Sequence, residues 1–496
     1  MKNVVILGGG TAGWITALFM NKFYPNDSVT LVESEDIGIL GAGEGTTPSF
    51  RNFLEAVNIE PSELVTHCKA TVKLGINFVN WNGDGKSYVH PFNSDPSVSE
   101  YETFNGMVLS KQIADGMDLD ELSLSAKLAR INKTSFVRVD SPNTPGTGLK
   151  LDYLTSWAMH FDARLLAEYF RKVAVGRGVV RVEGIVKSFS VNEKNDITAL
   201  NLESGQVVPC DFIFDCSGFA RLILGKYYQD RWISYADKLT MNSAIPFFID
   251  HDNDVKPETA SIAMKYGWIW HIPVQGRYGC GYVFDNNYVS SDEALHEAEE
   301  YFGTKLTSPK TFKFNPGSFE RTIVNNCMAV GLAQSFVEPL EATSIWISIL
   351  NLNSFIQFDI LSNQSEILKK KFNTACRERN DEVAEFLHLH YITKRNDSSF
   401  WRDFRKNYPM TESLKEVLDH VNNCPTIHLG KRLWANADYI PVAYGLELLD
   451  KNFNRHSISR TKLEDIERFR KGLLRNQQNI LRTSILHKDF IKSHFS

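Results

Sequence analysis

The sequence has no run of roughly 18 consecutive apolar residues, the minimum for a membrane-spanning helix, so no membrane span is expected. It also has no excess of positive charge. A formal net charge of -5 is the wrong sign for a phosphate-binding footprint and argues against nucleic acid as a partner. Cysteine is scarce: Cys68, Cys210, Cys216, Cys280, Cys327, Cys376 and Cys424 are odd in number and form no CxxC pair. That fits reduced thiols better than a disulfide framework and gives no metal-ligand spacing, so reduced thiols, no metal and a cytoplasmic location are expected. Repeats and low-complexity linkers are missing as well. The apolar start lacks a signal-peptide cleavage pattern and reads as the first strand of a fold.

What is present is an ordinary globular composition, 43% hydrophobic and 23% charged, enough for a sizeable core. Aromatic residues reach 12%, with 32 Phe, 17 Tyr and 9 Trp. A Phe-rich core accounts for this, and so would a pocket for planar ligands.

The most informative local signal is the beginning. Asn3 to Leu7 is a Val/Ile-rich run suited to a buried parallel strand, followed by Gly8-Gly9-Gly10-Thr11-Ala12-Gly13. Gly8 permits the tight turn, Gly10 lets backbone approach a pyrophosphate, and Gly13 allows close helix–strand packing. Ala12 to Phe23 is helix-like, so its first amides would face phosphates. A second strand, Ser28 to Val32, ends at Glu33, twenty residues beyond Gly13, where a carboxylate can accept ribose hydroxyls. Strand, glycines, helix, strand and acid in register make a dinucleotide site far more specific than a lone glycine motif. Three further stretches favour FAD over NAD. The small-residue segment 39–48 contains Gly43 and Glu44, and two strand-to-glycine turns follow at Asp211 to Gly218 and Ala329 to Ala333.

At Gly267-Trp268-Ile269-Trp270-His271-Ile272-Pro273 the residues reach a recognisable pattern. The chain resembles the flavin-dependent halogenases of the tryptophan-halogenase type, from residue 1 to beyond Trp401. The resemblance is carried by Gly8 to Trp14, Gly43 to Ser49, Lys73 to Trp81, Trp268 to Pro273 and Phe336 to Ser344. Weaker matches are His160 to Ala163 and Arg395 to Trp401.

The resemblance implies an α/β fold: a Rossmann-like FAD-binding domain of the GR2 flavoprotein type, a β-sheet substrate region and a C-terminal helical region. A discontinuous FAD and halogenation core is expected over 1–345, with a loop-rich insertion at about 85–150. A mainly helical region, 346–496, would pack on it and complete the substrate pocket. Apolar residues at three- and four-residue spacing over Ile345–Leu361, Glu366–Tyr391 and Leu463–Leu486 agree with helices there.

It also implies the chemistry. Reduced FAD and oxygen furnish the oxidant that turns halide into hypohalous acid. A tunnel walled by Trp268 and Trp270, with Ile272 and Pro273, would carry it to Lys73 and Glu341, which halogenate an electron-rich indole- or phenol-like ring. The plainer alternative for Trp268 and Trp270 is a pair of buried core indoles. On spacing alone Lys73 is no better than Lys69, so its assignment rests on the resemblance. The resemblance also implies FAD contacts at Thr11, Ala12, Val186 and Leu332, beside Gly8, Gly10, Gly13, Glu33, Gly43 and Glu44 of the motifs above, and halide on the amides of Thr343 and Ser344. His90 and Phe92 fall where relatives stack the substrate, against the plainer reading of a surface loop. The chain departs from the family pattern at Ala342, Ser344 and Leu332, which bears on halide preference more than on reaction class.

No second GxGxxG lies between strand and helix, so a separate NAD(P)H flavin reductase is expected to supply FADH2. A homodimer is left open. The competing readings are a flavin-dependent aromatic monooxygenase without halogenation and a non-catalytic flavin-binding protein. The first does not explain Trp268, Trp270, Lys73 and Glu341 together; Ala342, Ser344 and Leu332 lend the second slight support, but the retained Lys73 and Glu341 weigh against it.

Overall fold

Short Val-, Ile- and Phe-rich runs that are apolar on both faces can pair only where helices cover both sides of a sheet, the condition of a parallel α/β layer. The computed structural model, which describes residues 1–37, 43–92, 118–141, 144–151, 156–307, 310–363, 365–423, 432–449 and 462–493, forms such a layer in the first of two compact units. That unit comprises Met1–Ala70, Phe161–Met241 and Phe314–Ala384. Its six-stranded sheet runs Val180–Glu183, Ser28–Glu33, Asn3–Leu7, Phe212–Asp215, Cys327–Ala329, Ile323–Val324. The first five strands are parallel and the last pairs antiparallel. Val4, Val5, Ile6, Phe212, Ile213 and Phe214 are all essentially buried. The expected first strand and second strand are both there, the second reaching one residue further to include Glu33.

The helix Thr11–Phe23 packs against Ala163–Gly176, whose N-terminus is capped by the Asp162 carboxylate accepting from the amides of Arg164 and Leu165. Phe19, Phe50, Phe53 and Phe170 interlock beneath this pair at ring separations of 5.3 to 6.5 Å. Much of the phenylalanine excess is therefore core.

The second unit comprises Thr71–His160, Asn242–Lys313 and Glu385–Ser496. Its main sheet has seven strands in the order Phe312–Lys313, Ser243–Asp250, Arg277–Phe284, Gly267–Val274, Thr259–Met264, Gly75–Val79, Ser87–Pro91. All pairs are antiparallel except Thr259–Met264 with Gly75–Val79. Pro91 closes an edge strand and Pro273 lies next to a hairpin turn at Gly276, positions where a missing amide costs no ladder bond.

In the expected insertion, the described part supplies a helix, Leu124–Arg130, and two paired strands, Lys133–Ser141 and Thr144–Leu151; residues 93–117 lie outside the described residues. The helices expected after residue 345 are present as Thr343–Gln357, Glu366–His390 and Leu463–Thr483. The last is shorter than its periodicity suggested. Ser484–Leu486 leaves the helix as a strand and pairs with Lys133–Ser141, because the sheet edge supplies partners that helical spacing does not reveal. Among the described residues no helix is long and apolar enough to cross a membrane, and the six described cysteines are unbridged and buried.

Candidate active site

The glycine turn of the first unit has the geometry its sequence implies. Gly8 holds φ +116°, and a β-carbon there would fall 2.3 Å from the Cys216 carbonyl oxygen, so the turn crosses the next strand's exit too closely for any side chain. A β-carbon on Gly13 would meet the Gly8 carbonyl at 1.9 Å, the close helix–strand packing required of the third glycine. Gly10 differs: it is the extended N-cap of Thr11–Phe23, and nothing lies within 4 Å of where its β-carbon would be. The helix has no side-chain cap and no acid in its first turn, which leaves the amides around Thr11 and Ala12 and the positive end of the dipole for an anionic ligand.

Glu33 reaches this turn. The space a Gly9 side chain would need is filled by the Glu33 carboxylate, 1.4 Å from the ideal β-carbon. Its other oxygen accepts from Arg181 Nε at 2.6 Å, with Arg171 3.7 Å away. Arg181 also bridges Glu35 and Glu183, and these carboxylates hold its guanidinium more firmly protonated than usual. Sequence reasoning missed Arg181; nothing local connects it to a carboxylate 148 residues earlier.

The other two strand exits meet the same end of the sheet. The fully buried Asp215 carboxylate accepts from the Ser217 amide and hydroxyl and from the Ile223 and Leu224 amides, which shapes the turn after Phe212–Asp215; burial still pushes its pKa up. A β-carbon on Gly331 would meet Ala12 at 2.7 Å, so this third turn, bearing Leu332, abuts the first. Gly43 and Glu44 lie on the short strand Gly43–Gly45, while residues 38–42 fall outside the described residues. Burial first, and the Asp162 carboxylate second, push Glu44 up to about 7. Val186 begins a separate three-stranded sheet, Val186–Val191, Ile197–Leu202 and Val207–Pro209.

Glu341 is 3% exposed and closes the short turn Pro339–Glu341. Ala342 then takes φ +55°, a left-handed conformation strained for a residue with a β-carbon, and starts the helix Thr343–Gln357. Thr343 and Ser344 are that helix's first two residues, their amides directed away from its hydrogen-bond ladder with no side-chain cap. A bent, uncapped start of this kind suits a small anion.

In the second unit Lys73 is wholly withdrawn from solvent. Its ammonium lies 5.2 Å from the centre of the Phe92 ring, joining a residue expected for catalysis to one expected for substrate. His90 is not in a surface loop: it lies in the strand Ser87–Pro91, is 5% exposed, and has Nε2 3.8 Å from Asp438. Trp268, Trp270 and Ile272 share one face of Gly267–Val274 by strand alternation, all buried, the two indoles 6.5 Å apart and inclined by 64°. Gly281 lies opposite Trp270 in the ladder; a β-carbon there would fall 2.0 Å from the indole. On the reverse face His271 stacks on Tyr278 at 3.7 Å and on Phe302, and burial lowers its pKa to about 4.

Two more buried histidines went unread for any role. His160 Nδ1 lies 3.0 Å from Thr71 Oγ1, and His160 Nε2 lies 2.9 Å from Thr259 Oγ1. His487 Nε2 accepts the Val72 amide at 3.1 Å, while Nδ1 faces the Val255 carbonyl at 2.9 Å. Burial lowers the pKa of both, that of His487 to about 4. The strand of the first histidine was visible as a weak motif; the second carried no signal.

A family profile described as tryptophan halogenase matches residues 3–460. The chain is 31% identical over 483 residues to the tryptophan 6-halogenase ThaL of Streptomyces albogriseolus, covering 91% of this chain and 90% of that one. It is 29% identical over 524 residues to the tryptophan 7-halogenase RebH of Lentzea aerocolonigenes, covering 99% and 98%. Among solved structures, Xcc4156, a flavin-dependent halogenase from Xanthomonas campestris, superposes with a TM-score of 0.88 at 28% identity, over 99% of this chain and 98% of that one.

Proposed function

Because this chain belongs to the tryptophan halogenase family and is a flavin-dependent, oxidoreductase-type halogenase, we propose that it halogenates a small electron-rich aromatic ring through Lys73 and Glu341. FAD, when bound and reduced, supplies the oxidant that converts halide to hypohalous acid. The residues of the first unit fit it: open backbone at Gly10, uncapped amides at Thr11 and Ala12, and a carboxylate at Glu33 beside the turn. A separate NAD(P)H flavin reductase supplies FADH2.

The observation that carries this reading is Lys73. A wholly buried lysine is rare, and burial adapts an amine readily to chemistry. Its Nζ, beside the Phe92 ring, holds the electrophilic halogen, either by donating a hydrogen bond to hypohalous acid or as a haloamine. Glu341 stabilises the ammonium or takes the proton that the ring loses after the carbon–halogen bond forms. Trp268 and Trp270 wall the passage, keeping the aromatic substrate away from the flavin so that halide, not substrate, meets the oxidant. The amides of Thr343 and Ser344 hold the halide. Ala342 and Ser344 alter that nest relative to the family pattern, and bromide or iodide is favoured over chloride.

Tryptophan is what ThaL and RebH act on by name, and a free indole, tryptophan or a phenol is the substrate class proposed here. The test is Lys73→Met, a substitution of similar length without the amine. With reductase, FAD, halide and indole or tryptophan, it should lose halogenated product while still consuming FADH2. Unchanged product in Lys73→Met removes the proposal, and hydroxylated product from the native protein favours a monooxygenase instead.

A further inference from the structure

The strand Thr71–Lys73 is held by side chains, and not only by its ladder. We propose that Thr71, His160 and His487 are positioning residues that fix Lys73 against the strand of the tryptophan pair, an inference that rests on Lys73 carrying the halogenating step.

The Thr71 hydroxyl donates to the Pro273 carbonyl at 2.6 Å, which uses its only hydrogen. It must then accept from His160 Nδ1–H, which leaves Nε2 as an acceptor for the Thr259 hydroxyl. One relay, Thr259 to His160 to Thr71 to Pro273, thus joins the lysine's strand to the last residue of the Trp-x-Trp-x-Ile-Pro element and to the neighbouring strand Thr259–Met264. One residue on, the Val72 amide donates to His487 Nε2, so the proton of that ring is on Nδ1 and donates to Val255. One residue after Lys73, the Leu74 amide donates to the Pro257 carbonyl at 2.7 Å. The backbone is therefore clamped at 71, 72 and 74, on both sides of the lysine.

The contact with Val72 requires the His487 ring to be neutral. A protonated His487 would direct an N–H at the Val72 N–H and lose that bond. Burial and the nearby Lys73 charge keep His160 neutral, and burial does the same for His487. His487 is 415 residues from Val72, and the segment from Ser484 onward holds it in place. The C-terminal end thereby takes part in placing the amine without touching substrate.

The test compares Thr71→Val, nearly isosteric but without the hydroxyl, with Thr71→Ser, which keeps it. His487→Leu is compared with His487→Gln, whose amide oxygen can still accept from Val72. Each is assayed for halogenated product per FADH2 consumed, with added methionine to trap hypohalous acid that escapes, and for FAD affinity and melting temperature. In Thr71→Val and His487→Leu, product per FADH2 should fall on the order of tenfold or more, since a shift of about 1 Å at a reacting group can cost still more. The missing oxidant should appear in the trap, with FAD affinity and FADH2 consumption unchanged. Thr71→Ser and His487→Gln should stay close to the native ratio. Native partitioning in folded Thr71→Val and His487→Leu overturns the inference. If either variant does not fold, Thr259→Val interrupts the same relay at its other end and is read by the same ratio. Lys73→Met run alongside separates the two levels: retained product there sinks the lysine reading itself, whereas lost product there with native partitioning in the clamp variants sinks the clamp alone.

Discussion

Gly281→Ala tests whether Trp270 is held rigidly enough to act as a wall. The added β-carbon would lie 2.0, 2.1 and 2.7 Å from three indole carbons, well inside van der Waals contact. The ring cannot absorb this by drifting into solvent, because Trp270 is 9% exposed and Trp268 packs against it. Either the indole withdraws by about 1 Å or the ladder between Arg277–Phe284 and Gly267–Val274 opens. Overpacking of this kind costs about 1–3 kcal/mol, to be read from urea unfolding. Gly276→Ala is the control: it has φ +83° but open space, so only backbone strain of about 1 kcal/mol is expected and no change in product. In Gly281→Ala, halogenated product per FADH2 consumed should fall roughly tenfold, with hypohalous acid appearing in a methionine trap. A Gly281→Ala protein with native stability and native partitioning would refute the reasoning, since the indole would then not be fixed where the geometry puts it.

Glu33→Ala should weaken FAD binding by about 10- to 100-fold, as expected for losing charge-assisted hydrogen bonds, and Arg181→Met should act in the same direction; flavin fluorescence titration measures both, and unaltered affinity in each would contradict the assignment. His487 has its pKa lowered from 6.5 to about 4, so the folded state stays neutral while the unfolded state takes up a proton below pH 6.5. Stability from this residue is therefore lost as pH falls, by about 3 kcal/mol across that window at about 1.4 kcal/mol per tenfold change in proton affinity. The stability advantage of native protein over His487→Gln should shrink by that order between pH 7 and 4 in urea titrations; a constant difference would be inconsistent with a neutral ring. Competition among chloride, bromide and iodide should favour bromide or iodide, and a clear chloride preference would end the reading of Ala342 and Ser344.

The start of the first unit was legible because each of its signals is local. A β-run, three glycines with distinct steric duties, a helix and an acid follow one another within residues 3–33, and the structure reproduces them almost to the residue. The alternation of Trp268, Trp270 and Ile272 was legible for the same reason. What escaped was long-range and polar. Arg181 on Glu33, His160 between Thr71 and Thr259, and His487 on Val72 join residues far apart in the chain, and a single histidine or arginine carries no periodicity. Apolar spacing also misread Ser484–Leu486, since residues that suit a helix face suit a sheet edge equally well and the available partner decided. For His90 a surface loop was the plainer alternative, but pairing of Ile76 with His90 puts it in a buried strand.

The most direct measurement is mass spectrometry of the products formed from indole and tryptophan by the purified protein with a flavin reductase, NADH, FAD, oxygen and bromide, run beside Lys73→Met. The account predicts a product carrying the paired isotope signature of bromine from the native protein and none from Lys73→Met, with FADH2 consumed in both. A product bearing oxygen without bromine, or brominated product undiminished in Lys73→Met, would contradict it.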